Sequence, residues 1–154
     1  MNAVTFERRM RRFLLIIVEC LCVGTVIELW LAKHIKETNQ LIPFVLCALA
    51  FVSVLAVQIR PNRKTIWALR MVMIAVILGS LLGGYLHLAA NIDFQVEMRP
   101  NQSAVDSFFA ALMGTAPLLA PGMLGLAGVL ALAATYYHPA LGKRADVTLP
   151  QTAS

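Results

Sequence analysis

Four apolar segments separated by polar ones dominate the pattern of the chain. They cover residues 13–32, 41–59, 66–90 and 108–137, and each is long enough for an α-helix to cross a hydrocarbon core of ~30 Å. The pattern predicts an all-α, integral membrane four-helix bundle in which residues 13–138 form one transmembrane domain. A basic arm at 1–12 precedes this domain, and we expect 139–154 to be a disordered tail.

The fourth segment is too long for one straight membrane helix, because its 30 residues would extend about 45 Å. Pro117 and Pro121 each remove a backbone hydrogen bond and Gly122 adds backbone freedom. The sequence therefore predicts a fourth helix that is kinked or broken at Pro117–Gly122. The alternating apolar positions of 92–98, just before it, predict an extended segment on the membrane surface.

Helix-capping residues stand before three of the segments. Thr38 or Asn39 can cap the second, and Asn62 or Thr65 the third. Ser103 followed by Asp106 resembles a capping box before the fourth.

The composition excludes an ordinary soluble domain. Hydrophobic residues make up 59% of the chain, charged residues 14%, and the mean hydropathy is +0.74, whereas soluble domains carry about 25% charged residues. The net charge of +5 does not indicate nucleic-acid binding, because the basic residues stand beside the apolar segments. The lipid bilayer is the expected partner.

The distribution of lysine and arginine predicts the orientation in the membrane. Ten of the 13 lie in the arm, in or near the loop 60–65, or in the tail, and three (Lys33, Lys36 and Arg99) lie on the opposite side. Both termini are therefore expected in the cytoplasm, and we expect a multi-pass protein of a bacterial inner membrane.

Small residues in the third segment predict close helix packing. Ala75, Gly79, Gly83 and His87 stand at i, i+4, i+8 and i+12, and such small residues let helix backbones approach in a membrane. We expect the row to serve packing within the chain, in a homo-oligomer, or in a larger membrane complex.

Glu19 and Arg70 are ionisable residues at matching depths in the first and third segments, about 9 Å and 6 Å from the same side. The simplest interpretation is a membrane ion pair. The alternative is that Glu19 binds a proton or substrate. A single glutamate in the first of four short helices resembles the small multidrug transporters, and that resemblance implies proton-coupled transport through Glu19.

A second polar cluster is predicted at the outer ends of the same segments, from Glu28, Tyr85, His87 and His34. A hydrogen bond between Glu28 and His87, or between Glu28 and Tyr85, is its simplest form. A metal ion held by Glu28, His34 and His87, with Met98 as a soft ligand, and a haem b ligated by His87 and His34 remain alternatives. We otherwise expect no cofactor.

The cysteines predict neither a metal site nor a disulfide framework. Cys20 and Cys22 point about 160° apart on a helix, and Cys47 belongs to another segment. We expect all three to act as small hydrophobic residues.

The chain carries no phosphate loop, nucleophile elbow or HExxH motif, so we expect no enzymatic activity. The leading hypothesis is an accessory or structural subunit of a membrane complex. A small proton-coupled transporter that uses membrane glutamates is the second hypothesis, and a redox subunit that binds haem or metal is the third.

Overall fold

The computed structural model describes residues 3–36, 38–114, 116 and 118–142. In this part the chain is all-helical and contains no strand, which confirms that the class is all-α. Its helices are α1 (Ala3–Leu31), α2 (Ile42–Ile59), α3 (Arg63–Met98), α4 (Ala104–Leu112) and α5 (Leu119–Thr135), with short 3-10 turns at Thr38–Leu41 and Pro139–Leu141.

Three helical segments are long and apolar enough to cross a membrane: α1, α3, and α2 together with the 3-10 turn before it. α5 is apolar but has only 17 residues, or about 26 Å. Large apolar side chains such as Leu49, Leu78 and Leu82 lie exposed on the outside of the helices. A hydrocarbon environment accounts for this exposure, since soluble monomers rarely show large contiguous apolar surfaces.

The helices α1, α2, α3 and α5 form a closed ring in which each helix packs against two others. α1 packs against α2 and α5, and α3 packs against α2, α5 and α4. The interior of the ring is apolar, and its completely buried side chains include Val18 on α1, Val54 on α2, Met73 on α3 and Ala131 on α5. Because α1 and α3 stand on opposite sides of the ring, residues of equal depth on them do not necessarily meet.

The ends of two helices differ from prediction. The basic arm is helical, since α1 begins at Ala3, and α3 continues to Met98 instead of ending at residue 90. The extended segment predicted at 92–98 is therefore wrong, because a continued helix satisfies its backbone hydrogen bonds internally whereas a lone extended strand does not. Of the tail predicted to be disordered, 139–142 contains a 3-10 turn and 143–154 lies outside the described residues.

The fourth apolar segment is interrupted, but earlier than predicted. α4 ends at Leu112 and α5 begins at Leu119, so the break starts at residue 113. Pro121 and Gly122 lie inside the first turn of α5, where the missing N–H of a proline costs little. Pro117, the other predicted break residue, is outside the described residues.

Two of the three predicted caps are present. Asn62 Oδ1 accepts hydrogen bonds from the backbone N–H groups of Lys64 (2.9 Å) and Thr65 (3.1 Å) at the start of α3. Ser103 Oγ accepts from the Asp106 N–H (3.2 Å) at the start of α4. The cap predicted at Thr38 or Asn39 is wrong, because both residues are part of the 3-10 turn before α2.

The small-residue row of α3 does not form one packing face. Ala75 is exposed. A Cβ at Gly79 would lie 2.6 Å from Leu46 of α2, while one at Gly83 would lie 3.5 Å from Pro121 of α5. Each step of four residues rotates about 40° around a straight helix, so the row from Ala75 to His87 turns through about 120° and meets different neighbours.

Candidate functional site

The C-terminal end of α5 meets two arginines, and we call this region the arginine end. Arg11 of α1 donates from Nη1 to the Tyr136 carbonyl (3.0 Å) and the Ala134 carbonyl (3.4 Å), and from Nη2 to the Tyr137 carbonyl (3.0 Å). It also forms an ion pair with Glu7, one turn earlier. Arg11 thus satisfies carbonyls that have no intrahelical partner and places a positive charge at the negative end of the helix dipole.

Arg70 of α3 binds the same helix end. Its Nη2 donates to the Thr135 carbonyl (2.6 Å) and its Nε to Thr135 Oγ1 (3.4 Å), while its guanidinium carbon lies 5.6 Å from the Trp67 ring centroid. The predicted ion pair between Glu19 and Arg70 is therefore wrong: Arg70 binds Thr135 instead. Matching depth was insufficient, because α1 packs against α2 and α5.

Glu19 lies at the edge of the apolar interior. Its Oε1 is buried and has no hydrogen-bond partner among the described residues. The buried Nε2 of Gln58 on α2 is in the same situation. An unpaired buried carboxylate is costly in a membrane interior, so Glu19 is a chemically unusual position in this bundle.

The opposite end of α1 and α3 brings His34 and His87 together, and we call it the histidine end. The centroids of the two imidazole rings lie 6.0 Å apart, with 31° between the ring planes. Both rings are partly exposed. The sequence predicted that these histidines would share a cluster, and the fold places them as neighbours although they are 53 residues apart.

The other two members of that predicted cluster face outward. Tyr85 is 68% exposed, and Glu28 is also exposed. Within the described part of the chain, no group of three or more His, Cys, Asp or Glu side chains is arranged to hold a metal ion. The histidine end thus offers two nitrogen ligands and no third ligand from Glu28.

Asn91 is a structural residue that the sequence reasoning missed. It is 1% exposed, and its amide binds the segment between α4 and α5. Nδ2 donates to the carbonyls of Ala111 (3.0 Å) and Ala116 (2.9 Å), while Oδ1 accepts from the Ala116 N–H (2.9 Å). A Cβ at Gly114 would overlap this amide. The available signal was a polar residue directly after the third apolar segment.

Two buried, free cysteines lie on the first two helices. The side chains of Cys22 on α1 and Cys47 on α2 contact each other, and both are buried, while Cys20 is exposed. The expectation of a small hydrophobic role fits the two buried cysteines, and Cys20 faces away from the core.

The sequence matches no protein-family model, no curated protein and no solved structure.

Proposed function

We propose that the chain is a small structural or accessory subunit of a membrane complex, in a bacterial inner membrane, and that it has no catalytic activity. Four helices, α1, α2, α3 and α5, cross the bilayer, and both termini lie in the cytoplasm. Arg11 and Arg70 both contact the end of α5, so α5 runs opposite to α1 and α3. The arginine end lies beside the basic arm and the basic loop 60–64, which supports a cytoplasmic position.

Reporter fusions test this topology. Fusions after Gln40 and Asn101 are expected to report the outer side, and fusions after Asn62 and Ser154 the cytoplasm. A cytoplasmic signal at Asn101 would contradict the four-helix arrangement.

The outward face of α1 supports the proposal that the chain packs against another subunit. Cys20, Gly24 and Glu28 stand at i, i+4 and i+8 and are all exposed. A Cβ at Gly24 would meet nothing within 4 Å among the described residues, so none of the described helices packs on this position. Small residues four apart are the pattern through which membrane helices approach closely. A second copy of the chain is its simplest occupant.

The carboxylate of Glu28 supports a protein neighbour rather than lipid. It lies on the outer surface of α1, one turn before the helix ends at Leu31, where contact with hydrocarbon is unfavourable. A neighbouring subunit offers hydrogen-bond donors that lipid tails lack.

The test is a pair of matched glycine substitutions. We expect Gly24→Leu to reduce the mass of the detergent-solubilised complex while the melting temperature of the protomer stays unchanged, because the position is open. Gly84→Leu is the control, since a Cβ at Gly84 of α3 also meets nothing within 4 Å. Unchanged mass for Gly24→Leu, or equal losses for both variants, would contradict a role of the α1 face.

Proton-coupled transport is the second candidate function, favoured by the buried Oε1 of Glu19, for which the described residues supply no hydrogen-bond partner. A proton on this carboxylate would remove the charge and supply a donor. Proteoliposomes loaded with a pH-sensitive dye test it: transport predicts proton flux that Glu19→Gln abolishes, whereas a packing subunit predicts no flux in either form.

Redox chemistry is the third candidate function, favoured by the 6.0 Å separation of the His34 and His87 rings. Two imidazoles at this separation can ligate a haem iron or a single metal ion. A Soret band in the purified protein that disappears in His87→Ala would support it, and a colourless, metal-free protein would count against it.

A further inference from the structure

A groove of about 640 Å³ opens at the arginine end of the protein, beside Trp67. We call it the Trp67 groove. Its lining joins α3, α5 and the segment that follows α5, and includes Trp67, Arg70, Ile74, Leu132, Tyr136 and His138.

The Trp67 groove changes character with depth. Trp67, Arg70 and Tyr136 form its polar and aromatic level, while Ile74 and Leu132 lie one helical turn deeper along α3 and α5. Aromatic and basic residues are typical of the boundary between headgroups and hydrocarbon. The groove therefore follows the polarity profile of a phospholipid, with a charged group above an acyl chain.

The polar level of the Trp67 groove is electropositive. Arg70 uses Nε and Nη2 for Thr135, and no partner for its Nη1 is found among the described residues. Arg11 lies on the neighbouring carbonyls of Tyr136 and Tyr137. Burial and the positive charges of Arg11 and Arg70 lower the pKa of His138, against a smaller opposite effect of Glu7.

His138 adds a hydrogen-bond donor to this level. Its Nδ1 accepts a hydrogen bond from the Ala140 N–H (3.1 Å). In the neutral ring the proton is then on Nε2. Arg70 and His138 together present two nitrogen donors on the lining of one groove.

We propose that the Trp67 groove binds one anionic phospholipid, with the headgroup phosphate at Arg70 and His138 and an acyl chain along Ile74 and Leu132. Charge complementarity selects an anionic lipid, and the apolar floor selects a lipid over a soluble anion. The proposal needs the protein to lie in a bilayer but does not depend on pairing through the α1 face, and Gly24→Leu is expected to leave it unchanged.

Fluorescence quenching by brominated lipids tests the proposal, because bromine quenches only tryptophans that it contacts. Trp30 lies at the far end of α1, so Trp30→Phe leaves Trp67 as the sole reporter. The protein is reconstituted in phosphatidylcholine bilayers that contain equal fractions of brominated phosphatidylglycerol or brominated phosphatidylcholine. We expect severalfold tighter apparent binding of phosphatidylglycerol at Trp67, and the preference should persist at 0.5 M salt, where long-range attraction is screened.

Matched variants separate the groove from the general charge of this end of the protein. Arg70→Gln and His138→Asn should each reduce the preference, and His138→Asn retains a side-chain acceptor for the Ala140 N–H. Arg60→Gln removes one charge from the exposed loop at the same end, outside the groove, and should keep the preference. Melting temperatures identify a variant that has lost its fold, and His138→Asn keeps the test decisive if Arg70→Gln is unstable.

Three results would overturn the proposal. Equal quenching by both lipids would show that the groove does not select anionic lipids. An equal loss in Arg60→Gln and Arg70→Gln, or the same preference at Trp30 in the Trp67→Phe protein, would assign the selectivity to general basic charge. Quenching by neither lipid would show that no lipid chain reaches Trp67 in the groove.

Discussion

Arg11 donates a hydrogen bond of 3.0 Å to the carbonyl oxygen of Tyr136, a residue 125 positions later in the chain. The contact joins the helical basic arm to the end of α5. Although Arg11 lies near the predicted membrane surface, its side chain is only 14% exposed. The arm is therefore part of the folded bundle rather than a separate appendage.

We expect Arg11→Gln to lower the free energy of unfolding by about 1.5–3 kcal/mol, the usual effect of losing hydrogen bonds to a charged group. Arg12→Gln is the matched control, since Arg12 is exposed and has the same charge and sequence context. Thermal unfolding in detergent measures both. Equal melting temperatures for the two variants would show that the contacts of Arg11 with α5 contribute no stability.

Asn91→Leu should destabilise the break between α4 and α5. The substitution leaves the N–H and the carbonyl of Ala116 without their side-chain partner, at about 1–3 kcal/mol for each group kept from water, while the Ala111 carbonyl still accepts from the Gly114 N–H (3.1 Å). Asn101→Ala, at an exposed position, serves as the control. Limited proteolysis should cut Asn91→Leu between α4 and α5 faster than the wild type, and unchanged cleavage would refute the role of this amide.

Gly128→Ala should destabilise the contact between α3 and α5. The added Cβ would lie 2.7 Å from Ile77 Cγ1 and 3.2 Å from the backbone oxygen of Met73, and backbone yields less readily than a side chain. Overpacking typically costs about 1–3 kcal/mol. Gly84→Ala adds the same methyl group where nothing lies within 4 Å. A melting temperature of Gly128→Ala at or above that of Gly84→Ala would contradict the close approach.

Much of the bundle could be predicted from the sequence, because long apolar segments and capping residues are local signals. The three long apolar helices and the caps at Asn62 and Ser103 follow from such signals. The partner of Arg70 could not be predicted, since the depth of a residue along a helix does not give the direction in which its side chain points. The hydrogen bonds of Asn91 join it to a segment 20–25 residues away, so no local sequence pattern predicts these partners.

The pKa of His138 predicts how stability responds to acid. The pKa is lowered by burial and by Arg11 and Arg70, with Glu7 opposing them, so the unfolded chain binds a proton more readily than the folded protein. Stability contributed by neutral His138 is therefore present at pH 7 and decreases as the pH falls below the ordinary value of about 6.5. Protonation of Nδ1 also removes the bond from the Ala140 N–H.

We expect the melting temperature to decrease as the pH is lowered from 7.5 to 5.5. The decrease should be smaller in His138→Asn, because the asparagine side chain is not protonated in this range. His34→Asn and His87→Asn measure the contributions of the other histidines. A pH dependence that is the same in the wild type and in His138→Asn would assign the effect to other groups.

Oxidation of Cys20 in native membranes tests the packing role of the chain most directly. Cys20 is the exposed cysteine, while Cys22 and Cys47 are buried, and it stands one turn from Gly24 on the same outward face of α1. With copper phenanthroline as the oxidant, we predict a disulfide-linked dimer on non-reducing gels that disappears in Cys20→Ser and weakens in Gly24→Leu. A chain that stays monomeric under oxidation, although Cys20 reacts with a maleimide, would contradict self-association through this face.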